Sequence, residues 1–116
     1  MAFHHIPVLL QETMEALAVR PGGTYIDCTV GGGGHAAEIL RRSSPDGRLI
    51  GLDQDENALR AAGDRLAPFG DRVTLVRTNF QHVADVADRL GIGAADGVLM
   101  DIGVSSYQFD EAERGF

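Results

Sequence analysis

The stretch DCTVGGGGHAAEIL (27–40) puts four consecutive glycines between an apolar strand-like run closed by an acid and a segment with helical spacing. Glycine lets the main chain turn tightly and lets another group lie directly against it. A helix that starts after such a turn offers N–H groups and the positive end of its dipole. A plain strand–helix turn is the alternative, but four glycines are more than it requires. The stretch therefore predicts a strand–turn–helix unit that binds a ligand.

Strand-like and helix-like segments alternate on both sides of this turn. Apolar strand patterns occupy 24–30, 48–53, 72–78 and 97–103, and amphipathic helix patterns occupy 7–19, 36–43, 56–70 and 83–91. Alternation with fully apolar strands is typical of a parallel sheet covered on both faces. We therefore expect an α/β fold with a doubly wound sheet in the order 3-2-1-4, whose ligand lies at the carboxyl ends of the strands.

The bulk composition of the 116 residues fits one domain and excludes several classes of protein. No apolar run approaches the roughly 18 to 20 residues that a membrane span needs, and the N-terminus lacks the features of a signal peptide, so we expect a cytoplasmic protein. The single Cys28 excludes an internal disulfide framework and forms no metal-site pattern. The net charge of −7 argues against a general nucleic-acid binder, although not against an enzyme with a basic surface elsewhere.

Two ligands compete for the glycine turn. Gly31, Gly33 and Ala36 satisfy the dinucleotide fingerprint G-x-G-x-x-G/A, which is a weak signal when it stands alone. The other ligand is S-adenosylmethionine, whose binding turn commonly follows an acid, as Gly31 and Gly33 follow Asp27. That carboxylate would repel a diphosphate and attract an ammonium group, so it favours S-adenosylmethionine.

Polar side chains also follow the other predicted strands. Asp53 ends the second strand, where a carboxylate can accept both hydroxyls of a ribose in either ligand; Asp55 is better placed to cap the next helix. Phe80 follows the third strand after Asn79, and either adenine stacking or ordinary core packing would explain it. Asp101 ends the fourth strand. We expect these side chains to meet Asp27 and the glycines at one edge of the sheet.

The run DGVLMDIGVSSYQFDEAERGF (96–116) is the most informative of the chain, since it continues past Asp101 with Ser105, Ser106 and Gln108. Such polar residues suit the place where a methyl acceptor meets a cofactor, although a capped surface loop has a similar composition. No G-x-S-x-G pattern supports a serine nucleophile.

Together with HIPVLL, YIDCTVGGGGHAAEIL, GLDQDENAL and NF, this run resembles the bacterial 16S ribosomal RNA (cytosine-N4)-methyltransferase family, from about His5 to Phe116. Members of that family use S-adenosylmethionine to methylate the exocyclic amine of a cytidine in the decoding centre of the small ribosomal subunit. The resemblance therefore implies a Rossmann-like methyltransferase fold and 16S ribosomal RNA as the partner. Tyr107 and Phe109 depart from the family pattern but keep its bulk and apolar character.

The resemblance also implies a set of cofactor contacts, namely Gly33, Gly34, His35, Asp53, Phe80, Asp101 and Gln108. We further infer a catalytic role for Asp101, because a carboxylate that accepts an N4 proton would localise the amine's lone pair. Ser105 and Ser106 could hold the unstacked cytidine.

Members of the resembled family are longer than this chain, with an inserted, mostly helical domain after the RGF run. Residues 1–116 are accordingly expected to be the N-terminal part of the methyltransferase domain, with the fourth strand as an open edge and with weak cofactor binding and no RNA methylation on its own. An NAD-dependent oxidoreductase and a non-catalytic ligand-binding module are the rival hypotheses.

Overall fold

A computed structural model describes residues 5–100 and 103–108 of the chain, with side chains described from 11 to 100. Its helices are α1 (His5–Leu17), α2 (Gly34–Arg42), α3 (Glu56–Leu66) and α4 (Val83–Arg89). Its strands are β1 (Thr24–Asp27), β2 (Arg48–Asp53), β3 (Val73–Arg77), β4 (Ala94–Met100) and β5 (Gly103–Gln108). All eight predicted segments exist, and most differ from the prediction only at their ends.

The strands form one sheet in the order β3-β2-β1-β4-β5, whose first four members are parallel. The predicted order 3-2-1-4 is therefore confirmed. Asp27 is in register with Gly51 of β2 and with Leu99 of β4, and Asp53 is in register with Arg77. The carboxyl ends of the parallel strands consequently share one edge of the sheet.

Helices cover both faces of this sheet, as the apolar strands predict. On one face α1, α2 and α3 bury a cluster that includes Met14, Leu17, Ile39, Leu40, Ala62 and Leu66. On the other face α4 contributes Val86 and Ala87 to a cluster with residues of β1, β2 and β4. The two clusters pack against opposite faces of the sheet, so its carboxyl edge lies between the two layers of helices.

The antiparallel strand β5 was not predicted. It pairs with β4 from Met100 opposite Gly103 to Ala94 opposite Gln108. The expected open edge beside β4 is therefore wrong for the described chain, because β5 pairs with the N–H and C=O groups on that side of β4. Its sequence, GVSSYQ, lacks the apolar run by which the parallel strands were recognised.

Two other boundaries bear on the site. β1 ends at Asp27 rather than at residue 30, and α2 begins at Gly34 rather than at residue 36. The segment between them, residues 28–33, is thus one residue longer than the sequence suggested and begins three residues earlier. Across the described residues, no helix is both long and apolar enough to span a membrane.

Candidate functional site

The connection from β1 to α2 lies over the carboxyl edge of the sheet and is tied to both neighbouring strands. The N–H of Cys28 donates to the carbonyl of Leu99 in β4 at 2.9 Å, and the N–H of Val30 donates to the carbonyl of Leu52 in β2 at 2.8 Å. The connection thus lies beside the topological switch point, between β1 and β4, where doubly wound sheets bind their ligands.

Asp27 begins the connection. Its side chain is 2% exposed, and its Oδ1 accepts a hydrogen bond from the N–H of Thr29 at 3.1 Å. A carboxylate thus lies beneath the start of the glycine turn, which disfavours a diphosphate at this point.

Asp53 lies beside the turn, at the end of β2. Its Oδ2 accepts from the N–H of Gly31 at 3.0 Å, and its Oδ1 accepts from the N–H of Asp55 at 2.9 Å. Asp55 caps α3 by accepting from the N–H of Asn57 at 2.8 Å, so the predicted division of labour between the two acids is confirmed for the cap. Asp53 is not the cap of α3, and its half-buried carboxylate faces the glycine turn instead.

Two of the four glycines are required by the fold itself. Gly31 and Gly33 have φ values of 53° and 88°, which side-chain-bearing residues rarely adopt. Gly33 is also buried against α3, where an added Cβ would lie 3.4 Å from Cα of Ala62 and 3.5 Å from Cγ of Leu66. The group that approaches Gly33 is therefore a neighbouring helix.

The other two glycines, Gly32 and Gly34, have no such explanation within the described part of the chain. Neither has a positive φ, and both are exposed. A Cβ on Gly32 would meet no described atom within 4 Å, and a Cβ on Gly34 would meet only the end of the Arg65 side chain, at 3.7 Å. Their bare main chain is open to a ligand, as the sequence predicts for the turn as a whole.

The first turn of α2 continues this open surface. Its N-cap is Gly33, and no described side chain caps it. His35, the second residue of the helix, is half-buried, and this burial lowers its pKa below the usual histidine range. Burial therefore favours the neutral form of this imidazole.

Phe80 reaches the same edge from β3. The N–H of Thr78 donates to the carbonyl of Asp53 at 3.0 Å, and Asn79 then begins a short 3-10 turn by accepting from the N–H of Gln81 at 2.9 Å. Phe80 is 50% exposed, so ordinary core packing does not account for it. An exposed aromatic ring beside the ends of β2 and β3 is available to stack on a flat ligand.

The remaining predicted contacts stand apart. Asp101 lies outside the described residues, directly after β4. The main chain of Gln108 pairs with Ala94, at the amino end of β4 and about 20 Å of strand away from Met100. The structure thus gathers Gly33, Gly34, His35, Asp53 and Phe80 at one edge and leaves the Gln108 main chain at the other, and the contact of Gln108 stays a prediction.

Sequence reasoning missed two features of this edge. It gave no separate role to Gly32, because the only signal for this residue was the run of four glycines in which it lies. It also did not link Asp53 to Gly31, because the hydrogen bond joins residues 22 positions apart.

The profile of the MraW methylase family matches residues 2–116, which is almost the whole chain. The chain belongs to this family. It is 97% identical over 116 residues to "Ribosomal RNA small subunit methyltransferase H" of Symbiobacterium thermophilum, and all of the chain matches 36% of that protein. It is 64% identical over 117 aligned residues to the protein of the same name from Heliobacterium modesticaldum, of which it covers 37%. The chain thus spans just over a third of the length of these relatives of the MraW methylase family.

Solved structures support the same fold. A candidate rRNA-methylase from Clostridium thermocellum superposes with a TM-score of 0.60 and 28% identity, over 66% of this chain and 43% of that one. A SAM-dependent O-methyltransferase from Thermotoga maritima superposes with a TM-score of 0.58 and 23% identity, over 68% of this chain and 29% of that one. The second likeness concerns the fold alone, which is the Rossmann-like fold of methyltransferases.

Proposed function

We propose that this chain is the cofactor-binding part of an S-adenosylmethionine-dependent methyltransferase that acts on 16S ribosomal RNA, at the N4 amine of a cytidine in the decoding centre. Membership of the MraW methylase family and the names of two close relatives support the reaction and the RNA. The observation that carries the proposal is the open main chain of Gly32 and Gly34 beside the Asp53 carboxylate and the exposed Phe80 ring.

The residues at this edge fit the three parts of the cofactor. The main chain of Gly33, Gly34 and His35 would hold the methionine part, where the N–H groups at the start of α2 suit its carboxylate. The Asp53 carboxylate would accept the ribose hydroxyls, and Phe80 would stack on adenine. When bound, S-adenosylmethionine supplies a methyl group made electrophilic by its sulfonium.

The chain's own part in the chemistry is positioning and control of one proton. The amine of cytosine is a poor nucleophile because its lone pair is delocalised into the ring. In our proposal a carboxylate oxygen of Asp101, the residue that follows β4, accepts a hydrogen bond from the N4 amine and localises that pair. A cofactor contact of Gln108 remains only what the family resemblance implies, since its main chain pairs with Ala94 at the other end of β4.

The longer protein would bring the remaining parts. Residues 1–116 would form the first part of the methyltransferase domain, to be followed by an inserted helical domain and further strands. The partner would be the small ribosomal subunit or its RNA, in the cytoplasm. The acidic balance of this chain, −7, suggests that most of the RNA-binding surface lies elsewhere in that protein.

A chimera tests the proposal. This chain would replace the matching 116 residues of the Symbiobacterium thermophilum relative, and methyl transfer from tritiated S-adenosylmethionine to small subunits lacking the modification would be measured. We expect labelled N4-methylcytidine, and the Asp101→Ala chimera should lose cofactor affinity, turnover or both. Label found elsewhere than on a cytidine N4 would contradict the proposed substrate, and unchanged affinity and turnover in the variant would remove Asp101 from both roles.

A further inference from the structure

Both oxygens of the Asp53 carboxylate accept hydrogen bonds from the protein's own main chain. Its Oδ2 holds the N–H of Gly31 at 3.0 Å and its Oδ1 holds the N–H of Asp55 at 2.9 Å, so two main-chain bonds fix the plane of the carboxylate. The side chain is half-buried, where such charge-assisted bonds are less exposed to competition from water.

These bonds leave room for a ligand on the same carboxylate. An ionised carboxylate has about four lone-pair positions, of which the two main-chain N–H groups occupy two. Each oxygen of Asp53 can therefore accept a hydrogen bond from a ligand hydroxyl and keep its bond to the main chain of the protein. The bond to Gly31, in contrast, has no substitute among the described residues, since its acceptor is the Asp53 side chain alone.

The residue that Asp53 holds is the one that directs the turn. Gly31 has a φ of 53° and immediately precedes Gly32, whose main chain is open. The next fixed point along the chain is Gly33, whose N–H donates to the carbonyl of Val30 at 2.9 Å. The direction in which Gly32 presents its main chain thus depends on the bond between Gly31 and Asp53.

We infer that Asp53 is a positioning residue for the glycine turn, in addition to any contact with ribose. This inference rests on the proposed function. In it, the Asp53 carboxylate binds the adenosine half of the ligand and also positions the glycine turn that binds the methionine half. The two halves of the ligand are then coupled through Asp53. A ligand without ribose hydroxyls should still depend on this carboxylate.

Binding to the chimera separates the two roles. The ligands are S-adenosylhomocysteine and its 2′,3′-dideoxy analogue, and the variant is Asp53→Asn, whose amide has only one oxygen for the two N–H groups. We expect the variant to bind the dideoxy analogue about tenfold more weakly than the unsubstituted chimera does, the loss typical of one charge-assisted hydrogen bond, and to lose at least as much affinity for S-adenosylhomocysteine. Asp55→Asn is the matched control, since it removes the same charge two residues away and asparagine caps helices as well as aspartate does.

The dideoxy analogue decides the outcome. If Asp53→Asn binds it as well as the unsubstituted chimera does, Asp53 acts through the ribose hydroxyls only and the inference is overturned. An equal loss in the Asp55→Asn control would also overturn it, because charge alone would then explain the effect. If the unsubstituted chimera binds neither ligand, the proposed function fails, and amide exchange still tests the bond itself.

Amide hydrogen exchange in this chain tests the bond without any ligand. The N–H of Gly31 should exchange more slowly than the N–H of the exposed Gly32, and Asp53→Asn should remove that difference while Gly33 keeps its protection. Equal exchange of Gly31 and Gly32 in the unsubstituted chain would show that Asp53 does not hold the turn.

Discussion

At the scale of single residues, the glycine turn contains two kinds of position. Gly31 and Gly33 are required by their positive φ values, and Gly33 is also buried against Ala62. Gly32 and Gly34 are required by neither. The sequence predicts a turn that meets a ligand, but four identical letters cannot say which glycine serves the fold and which serves the ligand.

Replacing Gly32 by Ala tests this division. An added methyl group would meet no described atom within 4 Å, so the free energy of unfolding should stay within about 0.5 kcal/mol of the original value. The same methyl group would occupy the space of the ligand, and affinity for S-adenosylhomocysteine should fall about tenfold or more, a loss of about 1.4 kcal/mol. Urea unfolding of the chain and calorimetry of the chimera would measure the two effects.

Gly33→Ala is the matched variant and should behave differently. Its φ of 88° should cost an alanine about 1 to 2 kcal/mol of folding stability. Equal stability losses in the two variants would contradict the division between a glycine that the fold requires and one that it does not.

Cys28 is a second residue whose behaviour follows from its surroundings. Its thiol is 2% exposed, and burial, with a smaller effect from the charge of Asp27, raises its pKa to about 11. At pH 8 the folded chain should therefore resist iodoacetamide for hours, whereas the chain in urea should be alkylated quickly. Mass spectrometry at timed intervals would follow the reaction. Rapid labelling of the folded chain would mean that the end of β1 is not packed as described.

At the scale of elements, the sequence predicts the eight helices and strands of the parallel part because their apolar periods are long and their ends carry glycine or an acid. It does not predict β5, whose pairing with β4 depends on an available edge rather than on a pattern of its own. The contacts of Arg72 could not be predicted for a similar reason, since the carbonyls that it binds are distant in sequence.

Arg72 links the segment after α3 to the end of α2. Its guanidinium donates to the carbonyl of Gly47 at 2.7 Å and to the carbonyl of Leu40, and it lies 5.5 Å from the centre of the Phe69 ring. The last turn of α2 has carbonyls without helical partners, so the bond to Leu40 helps to cap the helix whose other end forms the candidate site. The bond to Gly47 holds the connection between α2 and β2.

Arg72→Ala should therefore destabilise the chain by about 2 kcal/mol, because it leaves those carbonyls without their charged donor. Arg60→Ala is the control, since Arg60 is exposed and its only recorded ion pair among the described residues, with Glu56, is long at 3.9 Å. Urea unfolding would compare the two. A loss for Arg72→Ala no greater than that for Arg60→Ala would show that the link contributes nothing to stability.

For the whole molecule, the sheet order and the edge that holds the site were both predictable, because parallel strands with right-handed crossovers allow few arrangements. The candidate contacts were predictable only in part. Asp53 and Phe80 do lie beside the turn, but the exposure of Phe80 and the Asp53–Gly31 bond depend on packing that no local pattern reports.

The net charge of −7 also belongs to this scale. RNA binding draws most of its affinity from cationic contacts to phosphate, and this chain has 10 lysine and arginine residues against 17 aspartate and glutamate residues. We therefore expect this chain to contribute the cofactor-binding site of the proposed enzyme rather than its RNA-binding surface. Cofactor binding is accordingly the property by which the chain itself should be judged.

A nuclear magnetic resonance titration of the isotope-labelled chain tests this cofactor-binding site most directly, since it detects even weak binding residue by residue. S-adenosylhomocysteine should shift the amide signals of Gly32, Gly34 and Phe80 in a saturable way, and NADH at the same concentrations should leave them in place. Shifts of the glycine turn by NADH, with none by S-adenosylhomocysteine, would contradict the account.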